Sequence, residues 1–133
     1  MPKALLIHAT DPDLQLSEQP EVAFPVLGVT TIASLFPDNW DVSIVDENVM
    51  TVNVSEQADL VGISTLTLDA PHAYELADTF RNREIPVLIG GMHPSSLPDE
   101  ALKHSDAVVI GEAEGIFEKI LEGSGQDVYG INR

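Results

Sequence analysis

Apolar residues in this chain fall into two kinds of run, and their alternation sets the elements. Residues 4–8, 41–46, 59–64, 87–89 and 107–110 are short stretches led by Val, Ile and Leu. Their apolar content is continuous instead of falling on every second position, which predicts strands of a parallel sheet buried on both faces. Other stretches carry the helical period. Within 71–81, Ala73, Leu76, Ala77 and Phe80 stand at i, i+3, i+4 and i+7, and Asp69 precedes them as an N-cap. Val26, Val29, Ile32, Ala33 and Phe36 make a similar stripe that starts at Pro25 and is stopped by Pro37. Ser96-Leu97-Pro98-Asp99 has the form of a capping box for a short helix through Lys103. Ile116, Phe117, Ile120 and Leu121 mark a last helix that leaves Gly111 and ends at Gly123. Two segments read differently: 9–24 as a long acidic loop, and 47–58 as either a short helix or an irregular crossover.

Strands alternating with helices predict an α/β domain over residues 1–123, a doubly wound five-stranded parallel sheet with helices on both faces. The flavodoxin-like order 2-1-3-4-5 is the expected arrangement, with ligands held beyond the carboxyl ends of the strands where the order reverses. That edge collects 9–24, 64–69, 90–96 and 111–112. The stretch 86–98 is central to it, because Val87, Leu88 and Ile89 run directly into Gly90 and Gly91, then Met92, His93 and Pro94. Paired glycines allow either a tight turn or the close approach of a ligand to the main chain. Residues 124–133 lack a core-forming pattern and read as a linker toward a further, C-terminal domain.

Charge and composition narrow the partners. Six Lys plus Arg against 22 Asp plus Glu leave a net charge of −16, a field that repels nucleic acid and anionic membranes, so neither is expected as a partner. No apolar run reaches the length of a membrane span, and the first strand follows Met-Pro-Lys directly, so a cytoplasmic chain is expected. The sequence contains no cysteine, which excludes thiolate metal sites, iron–sulfur ligation and a cysteine nucleophile within this chain. No nucleophile–base pair for catalysis stands out, and His8, His72 and His93 lack the local ligand spacing of a metal site.

Several functions of such a fold fail on particular residues. A phospho-acceptor receiver needs an aspartate ending the third strand and a lysine ending the fifth, where this chain has Ile63-Ser64 and Ile110-Gly111. A flavin phosphate loop after the first strand needs free backbone N–H groups and little negative charge, yet 9–24 holds Asp11, Asp13, Glu18 and Glu21 and no glycine. There is no Gly-x-Gly-x-x-Gly and no Walker lysine.

Asp59-Leu60-Val61-Gly62-Ile63-Ser64-Thr65-Leu66, the helix 71–81, the stretch 87–98 and residues 106–114, in this order and spacing, carry a resemblance over nearly the whole chain. The chain resembles the cobalamin-binding domain at the N-terminus of B12-dependent radical S-adenosylmethionine enzymes, among them the Mg-protoporphyrin IX monomethyl ester oxidative cyclase type. The resemblance implies that Ser64, Thr65 and Leu66 match a Ser-x-Leu element, and Gly90 and Gly91 a Gly-Gly element, lining the slot for the nucleotide tail of cobalamin. His93, Gly111 and Glu112 border the same edge as further candidates. The chemistry is consistent: a hydroxyl can bond a benzimidazole nitrogen, and glycines leave room for a flat ring. A third family element, Asp-x-His-x-x-Gly after the first strand, is missing here. His8-Ala9-Thr10-Asp11 reverses its order, so His8 is not expected to ligate cobalt.

The resemblance implies a cobalamin-binding module that presents the cobalt face to a separate catalytic domain. S-adenosylmethionine and an iron–sulfur cluster would belong to that domain, whose Cys-x3-Cys-x2-Cys motif is absent from these residues, and no turnover is expected from this chain alone. A different class of function remains beside it: a domain of the same fold that has given up the cofactor and serves substrate recognition or protein–protein interaction.

Overall fold

The computed structural model describes residues 2–10, 33–34, 36–47, 50–65, 69–90 and 97–109. Five strands, β1 (Lys3–His8), β2 (Asp41–Asp46), β3 (Leu60–Ser64), β4 (Val87–Gly90) and β5 (Ala107–Val109), form one sheet in the order β2-β1-β3-β4-β5. Every pairing is parallel. The order reverses between β1 and β3, as the predicted flavodoxin-like fold requires.

Register explains why the strands are apolar on consecutive positions. Ile7, Val45, Ile63, Ile89 and Val108 lie level across the sheet, as do Leu5, Val61 and Val87. Laterally paired residues point to the same face, and these belong to the cluster that packs on the helices α1 (Ala70–Asn82) and α2 (Pro98–Leu102). The alternate residues Ala4, Leu6, Leu60, Leu88 and Ala107 face the other way and are buried too. Both faces are therefore covered. On that second face Leu6 lies level with Gly62, where an added Cβ would come within 2.8 Å of Leu6 Cδ2; glycine gives the leucine its space.

α1 buries the stripe that its spacing predicts, Ala73, Leu76, Ala77 and Phe80, together with Ala70 and Tyr74. Its end is a Schellman motif: Ile85 N–H donates to Phe80 O (3.2 Å), Glu84 N–H to Arg81 O (2.9 Å), and Glu84 takes a left-handed φ of 64°. Phe80 and Ile85, the apolar pair that usually accompanies this motif, are both buried. Asp69 occupies the N-cap position, but its side chain makes no capping hydrogen bond.

Boundaries shift for physical reasons. β1 begins at Lys3 because Lys3 pairs with Asp41. β3 begins at Leu60, since the Asp59 carboxylate accepts from Lys3 N–H (2.7 Å) and caps the start of β1. β4 extends through Gly90, which pairs level with Ser64; Gly90 is thus a strand residue, not the first residue of a turn. The short helix has Leu97 at its N-cap position, one residue beyond the capping box expected from Ser96. Among the described residues of 47–58 there is no helix or strand. That segment is fastened by Arg83, whose guanidinium donates to the carbonyls of Val54 (2.6 Å), Glu56 (3.0 Å) and Ser55 (3.3 Å).

The stripe from Val26 to Phe36 enters the described residues at Ala33 and Ser34, which are helical, and at Phe36, which is buried. The remainder of that helix, Ile110, the helix 111–123 and the segment 124–133 lie outside them. No helix among the described residues is long and apolar enough to cross a membrane.

Candidate functional site

At the carboxyl edge the ladder continues one step past each of three strands. Glu47 N–H donates to His8 O (3.1 Å), Ala9 N–H to Ser64 O (2.9 Å) and Thr65 N–H to Gly90 O (3.1 Å). The carbonyls of His8, Ser64 and Gly90 are consequently occupied, so among the described residues it is the side chains of this edge that offer a ligand hydrogen-bonding chemistry. Asp46, His8, Ser64 and Gly90 lie level in one row on the face opposite α1. Ser64 and Gly90, predicted from two distant motifs, thereby become neighbours.

Thr65 is turned inward, only 1% exposed, while Ser64 and Gly90 are half-buried. The family-implied cofactor is consistent with that row: a hydroxyl able to donate or accept lies beside a residue with no Cβ, where a flat ring can approach the main chain. His8 ends β1 in the same row. Leu66, Gly91, His93, Gly111 and Glu112, the other candidates, lie outside the described residues.

The sequence gives no sign of a second feature at this edge. Glu47, the residue after β2, turns its carboxylate toward α1, where His72 Nε2 approaches both oxygens at 2.9 and 3.0 Å. Thr10 N–H donates to Glu47 Oε1 at 3.2 Å. The Glu47 side chain is 9% exposed and that of His72 18%. His72 is therefore committed to a carboxylate. Among the described residues no group of three or more His, Cys, Asp or Glu is placed to hold a metal ion.

Polar groups elsewhere serve the frame. Tyr74 Oη donates to Glu100 (2.8 Å), and its ring stacks on His104 at 4.4 Å. His104 Nδ1 lies 3.1 Å from both Asp78 oxygens. These contacts brace α2 against α1. Burial first, then the hydrogen bond to Glu100 and its charge, push the Tyr74 phenol above its ordinary range. At the amino edge Asp106 accepts from Val87 N–H (2.8 Å) and faces Arg81 at 3.5 Å. Lys3 pairs with Glu56 at 2.9 Å, and chiefly that hydrogen bond raises the Lys3 ammonium. An open depression of about 740 Å³ bordered by Arg81, Glu84, Pro86 and Asp106 lies at this amino edge, away from the carboxyl ends where ligands of such folds bind.

Known proteins place these features in a family. Residues 18–121 match the family model described as the B12 binding domain. The chain is 39% identical over 107 residues to a bacteriochlorophyllide d C-8(2)-methyltransferase of Chlorobaculum tepidum, covering 80% of this chain and 23% of that protein. It is 32% identical over 133 residues to the C-12(1)-methyltransferase of the same organism, covering 96% of this chain and 29% of that protein. A hopanoid C-2 methylase of Rhodopseudomonas palustris is 26% identical over 106 residues, 78% of this chain and 20% of the methylase. The chain thus spans between a fifth and three tenths of the length of these relatives. No solved structure is a significant match to it. With the family model covering most of the sheet and its carboxyl edge, and the strand order of that fold in place, the chain belongs to the B12-binding domain family.

Proposed function

We propose that this chain is the cobalamin-binding module of a larger radical S-adenosylmethionine enzyme, with the cofactor seated at the carboxyl edge of β1, β3 and β4. The observation that carries the reading is the level placement of Ser64 and Gly90. Ser64 would hydrogen-bond the nucleotide tail, and Gly90, with Gly91 after it, would leave the main chain open to it. When bound, cobalamin supplies the redox and alkyl-group chemistry of its cobalt, while the protein supplies orientation and shielding. Relatives named as methyltransferases, each several times longer than the aligned region, support methyl transfer by the whole protein. S-adenosylmethionine and an iron–sulfur cluster would reside in a domain following the linker 124–133. A cytoplasmic setting belongs to the same proposal.

The test is equilibrium dialysis of hydroxocobalamin, read by visible absorbance, against this chain and against the full product of its gene. Retention is expected, and Ser64→Ala should weaken it about fivefold, the loss of one hydrogen bond. Absence of retention by both proteins at high cofactor concentration would contradict the reading and leave the domain to substrate recognition or protein–protein interaction.

A further inference from the structure

One carboxylate gathers three segments that leave the sheet at different places. Glu47 follows β2, Thr10 lies two residues beyond β1, and His72 stands in the first turn of α1, the helix reached from β3. All three meet at Glu47 through contacts of 2.9, 3.0 and 3.2 Å. β1 and β3 are also the strands between which the order reverses. A carboxylate nine-tenths buried loses much of its hydration, and its contacts recover that loss with little net gain in stability. What such a contact does supply is fixed geometry, and here it ties the chain after β1 to the first turn of α1.

We propose that Glu47 and His72 are a positioning pair for the cofactor. Their contact sets the path of the chain at Thr10 and the placement of the first turn of α1, and so the spacing of the segments that leave β1 and β3 at the carboxyl edge. This rests on the cobalamin reading above and adds to it two residues that neither the Ser-x-Leu nor the Gly-Gly element contains. Neither residue is assigned a contact with cobalamin; they act through Thr10 and α1.

The experiment is a double-mutant cycle in hydroxocobalamin affinity, with each variant titrated well below its melting temperature. Glu47→Ala and His72→Ala are each expected to weaken binding about five- to fiftyfold, as when a buried polar group loses its partner. The double variant should bind within about threefold of the weaker single, because one contact is being removed twice. His72→Gln, whose amide N–H reaches the same carboxylate, should return affinity to within about threefold of the parent, which a merely space-filling role would not predict. Amide exchange at Thr10 should accelerate in both Ala variants. If Glu47→Ala does not fold, Glu47→Gln takes its place, and the coupling to His72→Ala is the quantity read. Ala variants that bind within twofold of a cobalamin-binding parent, or effects that multiply independently in the double variant, would overturn the positioning role alone. A parent that fails to bind would overturn the cobalamin reading and this inference with it.

Discussion

The two edges of the sheet are built differently. At the amino edge, polar side chains are spent on fastening main chain. Arg83 holds three carbonyls of 54–56, Asp59 caps the N–H of Lys3, and Asp106 caps that of Val87. The two aspartates satisfy N–H groups where β1 and β4 begin, and Arg83 satisfies carbonyls of the irregular connection before β3. The backbone ladder runs one step past the strands at both edges, but at the carboxyl edge the last level row of the strands carries Ser64 beside Gly90. There the carboxylate of Glu47 joins the segment after β1 to the first turn of α1. The contrast teaches a division of labour: polar side chains at one edge hold main chain, and the other sets a hydroxyl beside a residue with no Cβ. In open parallel sheets of this kind ligands bind beyond the carboxyl ends of the strands.

Substitutions at the two edges should therefore separate binding from stability. The largest effect is expected for Gly90→Ala. A methyl group there projects beside Ser64, and overpacking of roughly 1–3 kcal/mol in the bound state weakens cobalamin affinity by about five- to a hundredfold. Thermal melting of the variant should fall by only a few degrees, since Gly90 lies in a strand.

Arg83→Ala should show the reverse. Losing its carbonyl bonds and its place over the Phe80 ring, 6.0 Å from the centroid, should cost about 1–2 kcal/mol in urea unfolding. Cobalamin affinity among folded molecules should remain that of the parent. A large fall in affinity would mean that the amino edge communicates with the site, and the division drawn above would fail.

The smallest effect belongs to the brace between the helices. The Tyr74 phenol is raised in the folded state, so as pH climbs the unfolded chain gives up this proton first. Its contribution is full below about pH 10, the ordinary tyrosine value, and is lost as pH rises beyond it. Tyr74→Phe should lower stability near neutrality by about 1 kcal/mol, through the lost bond to Glu100. The variant should also show a shallower decline than the parent in unfolding measured from pH 9 to 11.

The fold and the row holding Ser64 and Gly90 were legible in the sequence, the fastening of the two edges was not, and the limits are physical. The strands read clearly because burial on both faces makes them continuously apolar. Ala73, Leu76, Ala77 and Phe80 announced α1 because one face of a helix repeats within a few residues. Ser64 and Gly90 were legible as members of two motifs. Their adjacency follows from strand order, which places β3 beside β4. What could not be read were contacts between side chains far apart in sequence. Glu47 and His72 are separated by 25 residues, and neither position is marked by local pattern. Arg83 and its carbonyls have the same character, which is why 47–58 could be read as helix or crossover alike. At Leu97 the local rule pointed one residue early: Pro98 fits the first turn of the helix, and Leu97 takes the position ahead of it.

Cobalamin titration of the parent, Gly90→Ala and Arg83→Ala, with the melting curve of each, bears most directly on whether the carboxyl edge is the cofactor site. The expected result is a parent that retains hydroxocobalamin, a Gly90→Ala variant that melts close to the parent and binds at least about fivefold more weakly, and an Arg83→Ala variant that melts lower and binds as the parent does. A parent that binds cobalamin with an affinity unchanged by Gly90→Ala would place the cofactor elsewhere on the domain and contradict the site described here.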